Sequence, residues 1–261
     1  MACASVEAHR YAVLWRDVVS CFPGGILLQD PVGVLVPLPA GAPAMSIPLG
    51  FSTMNPPGVF SRGPATVGSL GADTLAAWPA SVVEPPTQMT GIAGAWVGGD
   101  GAATKFSLGS ADWASGFGPT VAAGAAGFLV AWADRTGEDA TTLLEVRARR
   151  VTRADGALDA DGGSLLATAG GPIVGGPAVG FDGTVWTVAW IETSDSGYDV
   201  RAVAVRSDGT VVDEFPRLLA AAVANVPPAI SSTGDGRAVV LFVRSGSGGT
   251  FSVHALAFTA P

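Results

Sequence analysis

The sequence predicts an all-β protein, a β-propeller of about five four-stranded antiparallel blades with the last one incomplete. Three observations carry this. A segment closing on an aromatic residue recurs along the whole chain, and a second strand-like segment followed by Asp-Gly trails it. The composition is that of many short buried strands joined by tight turns.

The recurring segment opens on proline and ends on an aromatic residue. It runs from Pro64 to Trp78, Pro119 to Trp132, Pro177 to Trp190 and Pro228 to Phe242. The start of the chain, Ala2 to Trp15, fits the same frame without its proline, and the offset is 13 or 14 residues in every copy. The closing aromatics at 15, 78, 132, 190 and 242 lie 63, 54, 58 and 52 residues apart.

The second half-motif reads Val146-Arg147-Ala148 with Asp155-Gly156 after it, then Val200-Arg201-Ala202 with Asp208-Gly209, then Val253-His254-Ala255. Apolar residues alternating with others in β-branched sequence argue for strands. Asp-Gly between two such runs is a hairpin signal, because glycine accepts the positive φ of a two-residue turn. Outer strands are expected at Leu165–Thr168 and Arg217–Ala220. The opening proline stands at the start of the innermost strand, where its missing N–H is tolerated. The repeats fall at about 2–63, 64–118, 119–176, 177–227 and 228–261, in one domain spanning 1–261. Repeat one departs after Ile26, where proline-rich sequence replaces the Val-Arg-Ala pattern.

The frame Pro-x-Val, Leu-Val-x-Trp, Val-Arg-Ala, Asp-Gly resembles the degenerate β-propeller repeats of large secreted bacterial proteins of myxobacterial type. The likeness covers residues 119–258 well and 1–118 loosely. It implies an extracellular or cell-envelope location and is nearly silent on activity.

Glycine (36 residues) and proline (19) are abundant, but 48% apolar content with recurrent Val, Phe and Trp runs excludes a disordered chain. A net charge of −8 with only 14 basic residues, thinly spread, argues against nucleic acid and anionic membrane surfaces as partners. The uncharged stretches 31–61 and 113–133 are broken by proline and glycine and do not read as membrane spans. The start, Met1 to Ser5, shows no basic region followed by an apolar core, so no signal peptide is expected. Cys3 and Cys21 read either as a bridge in an exported protein or as two separate thiols.

Nucleophilic and metal chemistry find little support. The histidines are His9 and His254, no serine stands in a Gly-x-Ser-x-Gly elbow, and no zinc spacing is present. Asp155, Asp159 and Asp161 alternate near glycines without meeting an EF-hand pattern, and a hairpin with solvated carboxylates accounts for them. The two tyrosines, Tyr11 and Tyr198, come without an arginine cluster, which disfavours sialidase-type chemistry. No metal and no cofactor is implied.

Acids do recur two residues beyond the aromatic, at Asp17, Asp134 and Glu192; Ala80 and Arg244 hold that place in the other repeats. Equivalent positions in successive blades fall in a ring on one face, which suits a cation or sugar-hydroxyl site and, if two carboxyls lie about 5–10 Å apart, glycoside cleavage. The same acids, placed just past a strand end, also suit backbone capping of their own turns. Trp15, Trp78, Trp132 and Trp190 read as packing between blades. Trp96, Trp113 and Trp186 stand outside the frame, and Trp113, in a Gly/Ser-rich turn, is the candidate for stacking on a sugar face.

The expectation is therefore a non-enzymatic binding or interaction propeller for a glycan or protein ligand, with Asp17, Asp134, Glu192 and Trp113 as candidate ligand residues. The alternatives are a polysaccharide-acting glycosidase or lyase using a ring of loop carboxylates, and a purely structural repeat array.

Overall fold

A computed structural model of the chain describes residues 2–7, 10–21, 27–37, 45–48, 59–61, 65–71, 73–84, 87–97, 103–110, 117–135, 144–152, 163–232 and 234–259. The described residues are all-β apart from one 3-10 turn at Ser247–Gly249, and every strand pairing is antiparallel. None of their helices is long and apolar enough to cross a membrane. The chain divides into two compact units, Met1–Val121 and Ala122–Pro261.

In the first unit β1 (Ala2–Glu7), β2 (Arg10–Cys21), β3 (Leu27–Pro37) and β4 (Met45–Pro48) pair in that order. The proline-rich sequence after Ile26 thus still supplies a third and a fourth strand. It does so because β4 pairs β3 only along Val32–Leu35, leaving Pro31 and Pro37 outside that ladder. The register also settles the cysteines. Cys3 stands opposite Val13, and Cys21 lies at the far end of the same strand β2. Eight residues of strand span roughly 25 Å, far beyond the Cα separation that a disulfide bridges.

The second sheet of this unit holds β5 (Val59–Ser61), β6 (Thr66–Leu70), β7 (Asp73–Glu84), β8 (Thr87–Val97) and β9 (Ala103–Ser110). Two short strands share one edge of β7, β6 along Asp73–Ala77 and β5 along Ala80–Val82. β5 comes from the stretch assigned to the first repeat, yet it pairs in the second sheet.

The second unit stacks three sheets. β10 (Thr120–Ala123), β11 (Gly127–Arg135), β12 (Leu144–Thr152) and β13 (Ser164–Thr168) form the first. β14 (Ile173–Phe181), β15 (Val185–Ser194), β16 (Gly197–Arg206) and β17 (Arg217–Ala220) form the second. β18 (Ala229–Ser232), β19 (Ala238–Ser245) and β20 (Phe251–Phe258) form the third, which among the described residues has three strands.

The stacking explains why β15 reads as a continuous apolar run rather than an alternating one. Trp186, Val188 and Trp190 face the first sheet, packing with Leu129, Ala131, Val146 and Ala148. Val185, Ala189 and Ile191 face the third, packing with Val240, Phe242 and Phe258. Both faces are covered, so both must be apolar.

The prolines open the inner strands as expected at Thr120, after Pro119, and at Ala229, after Pro228. The second sheet differs: β14 begins at Ile173 and carries Pro177 in its interior, where the register slips between Gly175 and Ala178. An edge strand with an irregular ladder accepts a residue that has no N–H to give. A turn forms at Asp208-Gly209, with three loop residues, Ser207 to Gly209, where the sequence predicts two. Gly209 has φ +89°, and its N–H and that of Arg206 close the loop at 2.9 Å on Arg206 O and Thr210 O. Asp155-Gly156 and the acids at 159 and 161 lie outside the described residues.

Candidate functional site

The acids expected in loops are strand residues. Asp134 lies in β11 and Glu192 in β15, each two positions beyond a tryptophan and therefore on the same face of its strand. The strands run further than the aromatic-terminated reading allowed, which takes these carboxyls out of the loops and into the sheets. Asp134 is 9% exposed and Glu192 3%.

Their surroundings follow from the antiparallel register. Trp190 stands opposite Arg201 and Glu192 opposite Asp199 across β15 and β16. In the preceding sheet Trp132 stands opposite Arg147 and Asp134 opposite Glu145 across β11 and β12. Each sheet thus assembles one tryptophan, one arginine, one aspartate and one glutamate on two neighbouring strands.

In the later sheet Glu192 Oε2 accepts a hydrogen bond from Trp190 Nε1 at 3.0 Å. Arg201 Nε lies 3.2 Å from Glu192 Oε1, in ion-pair range without hydrogen-bond alignment, and its Nη2 lies 3.7 Å from Asp199 Oδ2. Ser196 Oγ donates to Asp199 Oδ1 at 3.3 Å. In the earlier sheet the arginine turns to a glutamate on its own strand: Arg147 Nε and Nη2 donate to Glu145 Oε2 at 2.9 and 2.6 Å. Asp134 Oδ2 is 3.3 Å from Arg147 Nε.

In both sheets the guanidinium makes its tighter contact with the glutamate, whichever strand carries it. The position in the third sheet has changed character. Phe242 stands opposite His254, stacked on it at 5.6 Å, and Arg244 lies 5.7 Å over the Phe242 ring.

Of the four residues expected from sequence, Asp134 and Glu192 fall in these clusters. Asp17 takes a register position opposite Asp30 in β2 and β3 of the first unit, and Trp113 lies outside the described residues, as does His9. Arg147, Arg201, Glu145 and Asp199 were not singled out from sequence. The signal was present: an arginine repeated inside Val-Arg-Ala in a chain with few basic residues, on the strand that pairs with the tryptophan. Among the described residues no group of three or more His, Cys, Asp or Glu is placed to hold a metal ion.

No protein-family model matches the sequence, and no curated protein matches it. Solved structures do. An α-L-arabinofuranosidase from Lactobacillus brevis matches 99% of this chain and 89% of its own, at 9% identity and a TM-score of 0.44. A sucrose-6-phosphate hydrolase from Lactobacillus gasseri matches 100% of this chain at 11% identity and a TM-score of 0.47. A β-fructofuranosidase from Bombyx mori matches 96% at 12% identity and a TM-score of 0.43. The chain spans only 61% and 57% of the latter two. All three are enzymes that act on glycosides, which stands against the expected non-enzymatic binding propeller and with its glycosidase alternative, while TM-scores below 0.5 at such identity establish no activity for this chain. At such identity no residue is carried across from them.

Proposed function

We propose that the sheets are blades of a β-propeller and that the chain is a polysaccharide-acting glycosidase, with Glu192 and Asp199 as its carboxyl pair. One observation carries this reading. Two carboxylates stand opposite each other on neighbouring strands, 3% and 4% exposed, and share the guanidinium of Arg201. Carboxyls held by one guanidinium lie within about 10 Å of each other, the separation at which such enzymes work. Glu192, fixed by the indole N–H and the guanidinium, takes the part of the anionic partner. Asp199, held through the longer arginine contact and a serine hydroxyl, is the second carboxyl of the pair.

A second reading rests on a different observation. The preceding sheet repeats the arrangement with Asp134, Glu145 and Arg147, and a repeated cluster fits a clamp joining two strands in a structural array. One experiment separates the two. Release of reducing ends is measured over a panel of polysaccharides for the native chain and for Glu192→Gln, with thermal unfolding of both. Activity in the native chain that disappears in a variant of unchanged stability supports the glycosidase. No activity on any substrate, with a melting temperature lowered in the variant, leaves the clamp.

A further inference from the structure

Among the described residues the last strand, β20, is an open edge. In the three-stranded sheet it pairs β19 on one side, and residues 251–257 are exposed, Phe251 at 69% and Val253 at 73%. It carries no Lys, Arg, Asp, Glu or Pro, only His254 among apolar and small residues. Native sheets usually blunt an edge with charge, proline or a bulge, because unpaired N–H and C=O groups template another strand. Here the edge is left plain.

The other two sheets of the same unit show what fits it. The facing pairs Trp132 with Arg147, Trp190 with Arg201 and Phe242 with His254 are equivalent. Val253, His254 and Ala255 therefore stand where Val146, Arg147, Ala148 and Val200, Arg201, Ala202 stand. Both of those stretches are covered by a fourth strand containing Leu-Leu-Ala. Val146 pairs Ala167 and Arg147 pairs Leu165; Val200 pairs Ala220 and Arg201 pairs Leu218, with a slip after the valine in each case. The row of fourth strands already adjoins the end of β20, since Arg217 of β17 donates to Thr259 O at 3.3 Å and lies 5.1 Å over the Phe258 ring. A strand laid on β20 continues that row.

We propose that the free edge of β20 takes an extended x-Leu-Leu-Ala segment of another polypeptide by antiparallel strand addition, with Ala opposite Val253 and the first Leu opposite His254. Both Leu-Leu-Ala segments at 165–167 and 218–220 are engaged in β13 and β17, so neither of them is available to β20. Main-chain hydrogen bonds supply the attraction and the alternating leucines the selection.

The test is hydrogen–deuterium exchange of the full chain with a synthetic peptide of the sequence from Asp213 to Ala220. A control peptide has both leucines replaced by aspartate, and sedimentation of the chain alone is followed over concentration. The expected result is amide exchange in β20 slowed roughly tenfold or more by the first peptide and not by the control. Unchanged exchange in β20 at millimolar peptide overturns the proposal. So does protection of β20 without peptide that rises as the chain dimerises, which would assign the edge to self-pairing.

Discussion

Trp190 gives its indole N–H to Glu192 at 3.0 Å, two residues further along the same strand, while the equivalent Trp132 has no acceptor for its buried Nε1. The two sheets differ by one methylene at the acid. Asp134 stands where Glu192 stands, and its carboxyl falls short of the ring nitrogen. A buried donor without a partner costs about 1–3 kcal/mol. Asp134→Glu is therefore expected to stabilise the chain by about 1 kcal/mol, raising the melting temperature by roughly 2–4 °C. Thermal unfolding checks it; a melting temperature that stays or falls would show that the longer acid overfills the site instead.

Asp182 closes the turn between β14 and β15. It is 1% exposed, and its Oδ1 accepts from Thr184 N and Thr184 Oγ1, each at 2.8 Å, and from Val185 N at 2.9 Å. Burial pushes the carboxyl up, but the Val185 and Thr184 donors together outweigh it, and the net displacement is below the ordinary aspartate value. A group depressed by folding stabilises the native state above its unfolded pKa of about 3.9, and that contribution fades as pH falls through the lower native value. Asp182→Ala should cost about 1–3 kcal/mol at pH 7, and the cost should shrink in acid below about pH 3.9. Denaturant unfolding of both chains at neutral and acid pH measures the difference; a cost independent of pH would remove the charge from the explanation.

The spacing of the sheets depends on glycine where β14 meets β18. A methyl group on Gly180 would run into Ile230 Cγ2 and Cβ, side-chain atoms of the next sheet. Gly180→Ala forces that branched side chain or the strand to move, at about 1–3 kcal/mol for an overpacked core. A methyl group on Gly71 would meet nothing within 4 Å, but the residue has φ +60°, so Gly71→Ala isolates backbone strain from packing. Their unfolding midpoints are compared with that of the native chain, and an unchanged midpoint in Gly180→Ala would mean that the sheets yield there without real cost.

Much of the strand order was legible because stacked antiparallel sheets impose a strict repeat on their buried faces. The outer strands stand where the sequence places them, β13 a residue earlier at Ser164 and β17 at Arg217–Ala220. What sequence could not supply was register. Nothing in one dimension says that Arg201 faces Trp190, so the repeated arginine read as part of a strand pattern rather than as the partner of Glu192. Likewise an acid two residues past an aromatic looks like the first loop residue, until the strand is seen to continue to Ser194. Pro177 misled for a related reason: a proline signals a strand start, but a slipped edge ladder also admits one.

Arg201 is the residue on which the two readings of the Glu192 cluster divide. It faces both carboxylates, at 3.2 and 3.7 Å, and its side chain is 29% exposed while theirs are 4% and 6%. Removing it leaves two buried like charges side by side without a cation. Breaking a buried pair typically costs about 3–5 kcal/mol, and partial solvation of the guanidinium reduces the expectation for Arg201→Met to about 2–4 kcal/mol. Replacing Glu192 by Gln and Asp199 by Asn in the same chain removes the repulsion and should restore stability to within about 1–2 kcal/mol of native. Equilibrium unfolding of the single and triple variants measures both steps, and a single variant that unfolds like the native chain would sink the clamp. The triple variant then answers the chemical question as well. Folded and stable but lacking both carboxylates, it must be inactive if the pair cleaves glycosides, and any activity it keeps must be assigned to other residues.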